Sequence, residues 1–151
     1  MINDEIFMRA AIEEAKIAAS IGEVPIGAVV VRNGEIIARA HNERETGKDA
    51  TRHAEIIAIE RACAALGGWR LIGCDLYVTL EPCPMCAGAA VNARIVRVVY
   101  GASDLRAGAF GSIINLNDYP LNHKPEIVRG VLAAECLAPI QAFFKERRKK
   151  Q

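Results

Sequence analysis

Leu76-Tyr77-Val78-Thr79-Leu80-Glu81-Pro82-Cys83-Pro84-Met85-Cys86 passes from an apolar run to a proline-flanked pair of cysteines. Leu76 to Leu80 reads as a buried strand, because a short continuous apolar run bounded by breakers suits a strand covered on both faces. Pro82 and Pro84 then bracket the start of a helix over about Cys83 to Asn92, where proline is tolerated in the first turn. Ile95 to Tyr100 gives the next strand. Upstream, Thr51 is the expected cap of a helix from about Arg52 to Leu66, closed by Gly67-Gly68.

Further out, Ile26 to Arg32 and Glu35 to Ala40 flank Asn33-Gly34, a strong hairpin signal. Asn3 or Asp4 caps a first helix running to about Ser20, with Phe7, Ala10, Ala11 and Ala18 on one stripe and Gly22 at its stop. Glu126 to Arg129 is a fifth strand. Val131 to Lys149 is helical in pattern, and Pro139 is expected to break it into two helices. A hairpin followed by strands alternating with helices gives a three-layer α/β/α sandwich around a mixed five-stranded sheet.

The 151 residues suit one domain over 1–151. A 52% hydrophobic and 25% charged composition excludes disorder, and aromatics are only 5%, so aliphatic side chains fill the core. The formal net charge of +1 argues for no charged partner by itself, but its distribution is uneven. Residues 145–151 carry net +4 and the preceding 144 sum to −3. On charge alone this is a solvated helix end at about 140–151, where cations are favoured. No segment is apolar enough to cross a membrane, and Met1 to Glu5 lacks a signal peptide's positive region, so a cytoplasmic location is expected. Five cysteines (63, 74, 83, 86 and 136) are an odd number, which argues for metal or catalytic use of some of them.

Two short clusters carry chemistry: His53-Ala54-Glu55 and Cys83-Pro84-Met85-Cys86, each opening a helix. One helical turn puts the Cys83 and Cys86 sulfurs on one face. With His53 they supply one imidazole and two thiolates, the three-ligand pattern of a catalytic zinc; structural zinc usually takes four ligands. Helix N-termini favour thiolate. Glu55, two residues from His53, is placed to move protons without ligating the metal. Alone, each half has a plainer reading. His-x-Glu often just starts a helix, and Cys-x-x-Cys can be a redox pair or half of a structural zinc, with Cys74 as a further sulfur. Cys63 and Cys136 read as buried thiols, His41 and His123 as surface or structural residues, and Trp69 as a partly buried anchor.

The pair of clusters in this order resembles the cytidine/deoxycytidylate deaminase superfamily. Within it, the chain is similar to the bacterial tRNA-specific adenosine deaminases. The match runs through Gly22 to Val29, His41-Asn42, His53-Ala54-Glu55, Thr79 to Ala89, Tyr100 to Asp104 with the Gly-rich segment to Ser112, and Phe143-Phe144 with its basic tail. The resemblance implies a cytidine deaminase-like fold and hydrolysis of adenosine to inosine at the wobble position of a tRNA anticodon. It implies one Zn2+ per chain on His53, Cys83 and Cys86, and Glu55 as proton shuttle. Asn42 is implied to hydrogen-bond the base, with Ile26 and Ala28 at the pocket wall and the backbone amides of Ala54 and Cys83 on the water or base. Asp104, Arg147 and Arg148 would lie near the tRNA anticodon stem-loop, with Lys149 and Lys150 as further phosphate contacts, and the enzyme would be a homodimer. The chain departs from the family pattern at Ala50-Thr51-Arg52 and at Arg106, neither of which touches a ligand. Arg52 is expected to point to solvent. Two alternatives stay open: a deaminase of free guanine, cytosine or cytidine, and a zinc-stabilised RNA-binding module without catalysis.

Overall fold

A computed structural model describes residues 3–150. The expected hairpin is present as β1 (Gly27–Arg32) and β2 (Glu35–His41). Its turn has Asn33 at φ 52° and Gly34 at φ 76°, the two positive angles that a type I′ turn requires. β3 (Cys74–Leu80), β4 (Arg97–Ala102) and β5 (Glu126–Val128) complete a sheet of order β2-β1-β3-β4-β5. β1 pairs antiparallel with both β2 and β3, while β3, β4 and β5 pair in parallel. β1 is therefore the one strand that runs against the rest.

Four α-helices cover the sheet: α1 (Asp4–Ser20), α2 (Ala54–Leu66), α3 (Pro84–Asn92) and α4 (Ala133–Lys149). Strand alternation sorts them into layers. Ala28, Val30, Leu76, Val78, Val98 and Tyr100 pack with α2 and α3. The intervening Val29, Val31, Tyr77 and Val99 pack with α1 and with Cys136 of α4. Both faces are covered, so Val29-Val30-Val31 can be apolar without a break.

Several element limits differ from expectation. Thr51 does not cap α2, because its amide and hydroxyl both go to Asp49 Oδ1, at 2.8 and 2.7 Å. His53 is the N-cap instead, and the helix starts two residues late. β4 starts at Arg97 rather than Ile95: the Ile95 amide closes the α3 terminus by donating to Ala90 O, and Val96 is exposed. A short 3-10 turn, Leu116–Asp118, was not expected. Pro139 lies inside one continuous α4 rather than dividing it. Proline removes the bond to the carbonyl four residues back, and here that residue is the exposed Glu135, whose carbonyl water can serve.

The edge of the sheet away from the clusters is tied by charge. Arg97 donates to both oxygens of Asp4, at 3.2 and 2.9 Å, and to Asp75 Oδ2 at 3.0 Å. The Tyr77 hydroxyl donates to Asp4 at 2.6 Å. Burial opposes ionisation of Asp4, but the Arg97 and Tyr77 hydrogen bonds outweigh it and its carboxyl is held below the ordinary value. That stabilisation is present above the unfolded carboxylate range and is lost as pH falls through the lowered pKa. Asp4→Ala should cost roughly 1–3 kcal/mol at neutral pH. Urea midpoints measured against pH should show the gap to wild type closing in acid; a constant gap would remove the charge from this account.

Candidate active site

β2 and β3 point the same way, so the chain leaving each reaches the same edge of the sheet before entering α2 and α3. His53 is the N-cap of α2 and Cys83 the N-cap of α3, and neither side chain caps its own helix. They turn towards each other instead. His53 Nδ1 lies 3.6 Å from Cys83 Sγ and 3.5 Å from Cys86 Sγ, and the three donor atoms all fall within 4.8 Å of one another. Tetrahedral zinc with Zn–S of about 2.3 Å and Zn–N of about 2.05 Å has an N···S edge of about 3.6 Å. Both N···S distances match that edge, so the donor set fits zinc. Cys74, at the far end of β3, is not part of the group.

The Cys83 thiol is lowered to about 4 by hydrogen bonding first from Cys86 and then from His53. Cys86 is pushed up by its bond to Cys83 and by burial. The bond to Cys83 raises His53 above its ordinary value. The cluster thus holds one thiolate and keeps protons that a cation would displace. Glu55, in the first turn of α2, is 4% exposed, and burial raises its carboxyl to about 7.

The MafB19-like deaminase family model matches residues 2–148. The chain is 57% identical to the tRNA-specific adenosine deaminase of Bacillus subtilis, over 100% of this chain and 94% of the relative. It is 46% identical to the tRNA-specific adenosine deaminase of Streptococcus pyogenes serotype M18, over 96% and 92%. A solved tRNA:A34 deaminase, from work on A-to-I editing at the wobble position of transfer RNA, superposes with a TM-score of 0.87 at 47% identity, covering 89% of this chain and 98% of that one.

The chain belongs to the tRNA-specific adenosine deaminase family.

In this deaminase a cleft of about 790 Å³ opens over His53, Glu55 and Cys83. Small-molecule sites span roughly 300–1,000 Å³, so volume does not tell a nucleoside from a nucleotide in a loop. The walls are more informative. Val24 and Ile26 line one side, Asp104 to Ala107 another, and Phe144, Lys145 and Arg148 of α4 a third. Arg44, Arg106, Lys145 and Arg148 put four cations around the opening.

The expected residues fall into place unevenly. Asn42 and Ala54 join Ile26, His53 and Glu55 around a smaller recess. Asn42 is 3% exposed; Nδ2 donates to Val24 O at 3.4 Å, and Oδ1 is buried without a hydrogen-bond partner among the described residues. Ala28 is not part of the lining, being fully buried in the core, and Val24 lines the cleft beside Ile26. Asp104 does reach the cleft and is also a turn former, since Oδ1 accepts from the amides of Arg106 and Ala107. Arg148 lines the cleft, but Arg147 sits over the Phe143 ring at 4.9 Å and is not part of the lining. Arg52 pairs with Glu60 at 2.8 Å rather than pointing free into solvent.

Outside the cleft, His41 pairs with Glu14 and His123 contacts Ile95 O, which are structural uses. Cys136 is buried as expected, whereas Cys63 is only half-buried. Trp69, expected as a partly buried anchor, is 54% exposed, with the Arg70 guanidinium 4.3 Å from its ring centroid and that of Arg94 at 5.6 Å. Sequence reasoning missed Arg44 and Val24, which lie in loops with no periodic signal. It also passed over two buried carboxylates, Glu23 and Glu81. The signal for Glu81 was present: a charge placed between an apolar strand and a proline.

Zn2+ titrated into metal-free protein should bind at one per chain and release protons, more of them at lower pH where His53 is also charged. Calorimetry in buffers of different ionisation enthalpy measures the release. No proton release would exclude ligation by the two sulfurs.

Proposed function

We propose that the protein hydrolyses adenosine to inosine and ammonia at the wobble position of a tRNA anticodon, using one zinc per chain. One observation carries the substrate: identity of 57% over the full chain to a tRNA-specific adenosine deaminase. The geometry supports the reaction class. His53, Cys83 and Cys86 would hold the metal, which when bound makes water nucleophilic at neutral pH. Glu55 holds a proton near neutrality because burial has raised its carboxyl to about 7. It gives that proton to the purine ring nitrogen beside the amino-bearing carbon, which drains charge from the ring as water adds. Of the two protons of the added water, one returns to Glu55 and restores its acid form, and the other passes through it to the departing amine, so that ammonia leaves and the ring carbonyl forms.

Asn42 orients the base, since it lines the recess and its buried Oδ1 has no hydrogen-bond partner among the described residues. The first amides of α2 and the Cys83 amide lie at helix N-termini without side-chain caps, and they hold the base and water in register. The rim cations, Arg148 among them, take phosphates of a splayed anticodon loop, because a base inside a stack is out of reach of the cluster. Asp104 contacts the same loop. Arg147, Lys149 and Lys150, all exposed in or beside the last turn of α4, add long-range attraction. Among the described residues no helix is long and apolar enough to cross a membrane. A tRNA substrate supports action in the cytoplasm, and the family resemblance supports a homodimer.

Incubating the zinc-loaded protein with an anticodon stem-loop bearing adenosine at the wobble position, beside free adenosine, cytidine and guanine, should yield inosine in the RNA alone. Turnover of a free base or nucleoside without turnover of the RNA would discard the substrate. Glu55→Gln should retain zinc and fold while losing roughly 10²–10⁴-fold in rate. Loss of zinc together with activity would make Glu55 structural. Removing residues 145–151 should raise KM for the stem-loop, leave kcat nearly intact and flatten the salt dependence. An unchanged salt slope would take the tail out of RNA binding.

A further inference from the structure

Two loops contribute to the lining of the cleft, one through Arg44 and one through Asp104 to Ala107, and each is fastened from inside by a buried carboxylate. Glu23, 0% exposed, accepts from the amides of Glu45 at 3.1 Å and Thr46 at 2.6 Å, beside Arg44. Glu81, 2% exposed, holds the other wall with more bonds. One oxygen accepts from the Asp104 amide at 3.1 Å and from the Ser112 hydroxyl. The other accepts from the amides of Phe110 and Ser112, each at 3.1 Å. A carboxylate offers about four acceptor positions, and these four donors fill them. Glu81 therefore has no acceptor position left over for a substrate.

The fastening is close as well as complete. A Cβ at Gly108 would lie 2.4 Å from the Glu81 carboxylate, so the loop can wrap this near only because residue 108 has no side chain. The Ala109 amide adds a bond to Pro82 O at 2.9 Å. From the other side, Arg129 donates to Phe110 O at 2.8 Å. The wall from Asp104 to Ala107 is thus tied to Glu81 and Pro82, the two residues directly before Cys83. The wall and the metal cluster share one short piece of backbone.

We infer that Glu81 is a positioning residue for the nucleotides flanking the target base. It fixes the distance between the Asp104–Ala107 wall and the cluster at Cys83, and so governs how RNA is held rather than how the base reacts. This rests on the RNA substrate proposed above.

Glu81→Gln is the direct test, because it keeps the size and replaces one acceptor oxygen with an amide that confronts N–H donors. KM for the stem-loop should rise about tenfold or more, with kcat within about threefold of wild type and zinc content unchanged. Hydrogen exchange should quicken at the Asp104, Phe110 and Ser112 amides. Ser112→Ala, which removes one donor, and Gly108→Ala, which crowds the carboxylate, should move KM and exchange in the same direction. These two decide the matter if Glu81→Gln does not fold. A fall in kcat with KM unchanged, or loop amides that exchange as in wild type, would overturn the inference. If the wild-type protein proves inactive on RNA, the substrate reading has failed, while the exchange measurement still decides whether Glu81 holds the wall.

Discussion

Strand direction is the constraint on which the site depends. β2 and β3 run the same way with β1 reversed between them, so two helices begin at one edge of the sheet. Their N-caps fall where a Ser, Thr, Asp or Asn would ordinarily contribute about 1 kcal/mol by bonding the first turn. His53 and Cys83 forgo that bond and face each other. The helices lose local stability at the point where they meet, and metal binding can offset the loss because ligand binding there is also folding free energy.

Dryness does the rest. α2 presents Ala54, Ile57, Ala58 and Ala62 to the core, all essentially buried, and Glu55 is caught in the same layer. Small residues let the helix sit close to the sheet, which is what removes water from the carboxyl. The raised pKa of Glu55 is therefore a by-product of packing: the same aliphatic contacts that hold α2 on the sheet keep water from its carboxyl. Rim and floor of the cleft obey opposite rules, with solvated cations above and a desolvated acid below.

Chemistry written at short range was legible in the sequence. Cys83 and Cys86 are three residues apart, so spacing alone brings their sulfurs to one face, whereas His53 and Glu55 are two apart and both reach the cleft because His53 is the extended N-cap rather than a helical residue. The hairpin at Asn33-Gly34 was equally plain, because two positive φ angles restrict the residues that can occupy them. What escaped depended on partners distant in the chain. Thr51 looks like a cap until Asp49 claims both its donors. Pro139 looks like a break until Glu135, whose carbonyl it would have bonded, is found on the exposed side of the helix. Glu23 and Glu81 bond backbone amides 22 to 31 residues away, and amides leave no mark in sequence. Ala28 shares a face with Ile26 but lies one step deeper in the strand, fully buried under α2, so the wall is made by Ile26 and by Val24 from the segment before β1.

Trp69 bears on how this protein can be watched. It is the chain's sole tryptophan, half exposed and stacked against arginine just past the C-terminus of α2, while the cluster sits at the N-terminus of the same helix. Thirteen residues of helix separate the two ends, about 20 Å. Its indole is already in water, so its emission is set by solvent and by the neighbouring guanidinium, and scarcely by the core. Intrinsic fluorescence is consequently a weak witness here, both to occupancy of the cleft and to the melting of the interior. Tyr77 and Tyr100, enclosed on opposite faces of the sheet, are the chromophores whose surroundings record whether the layers are together.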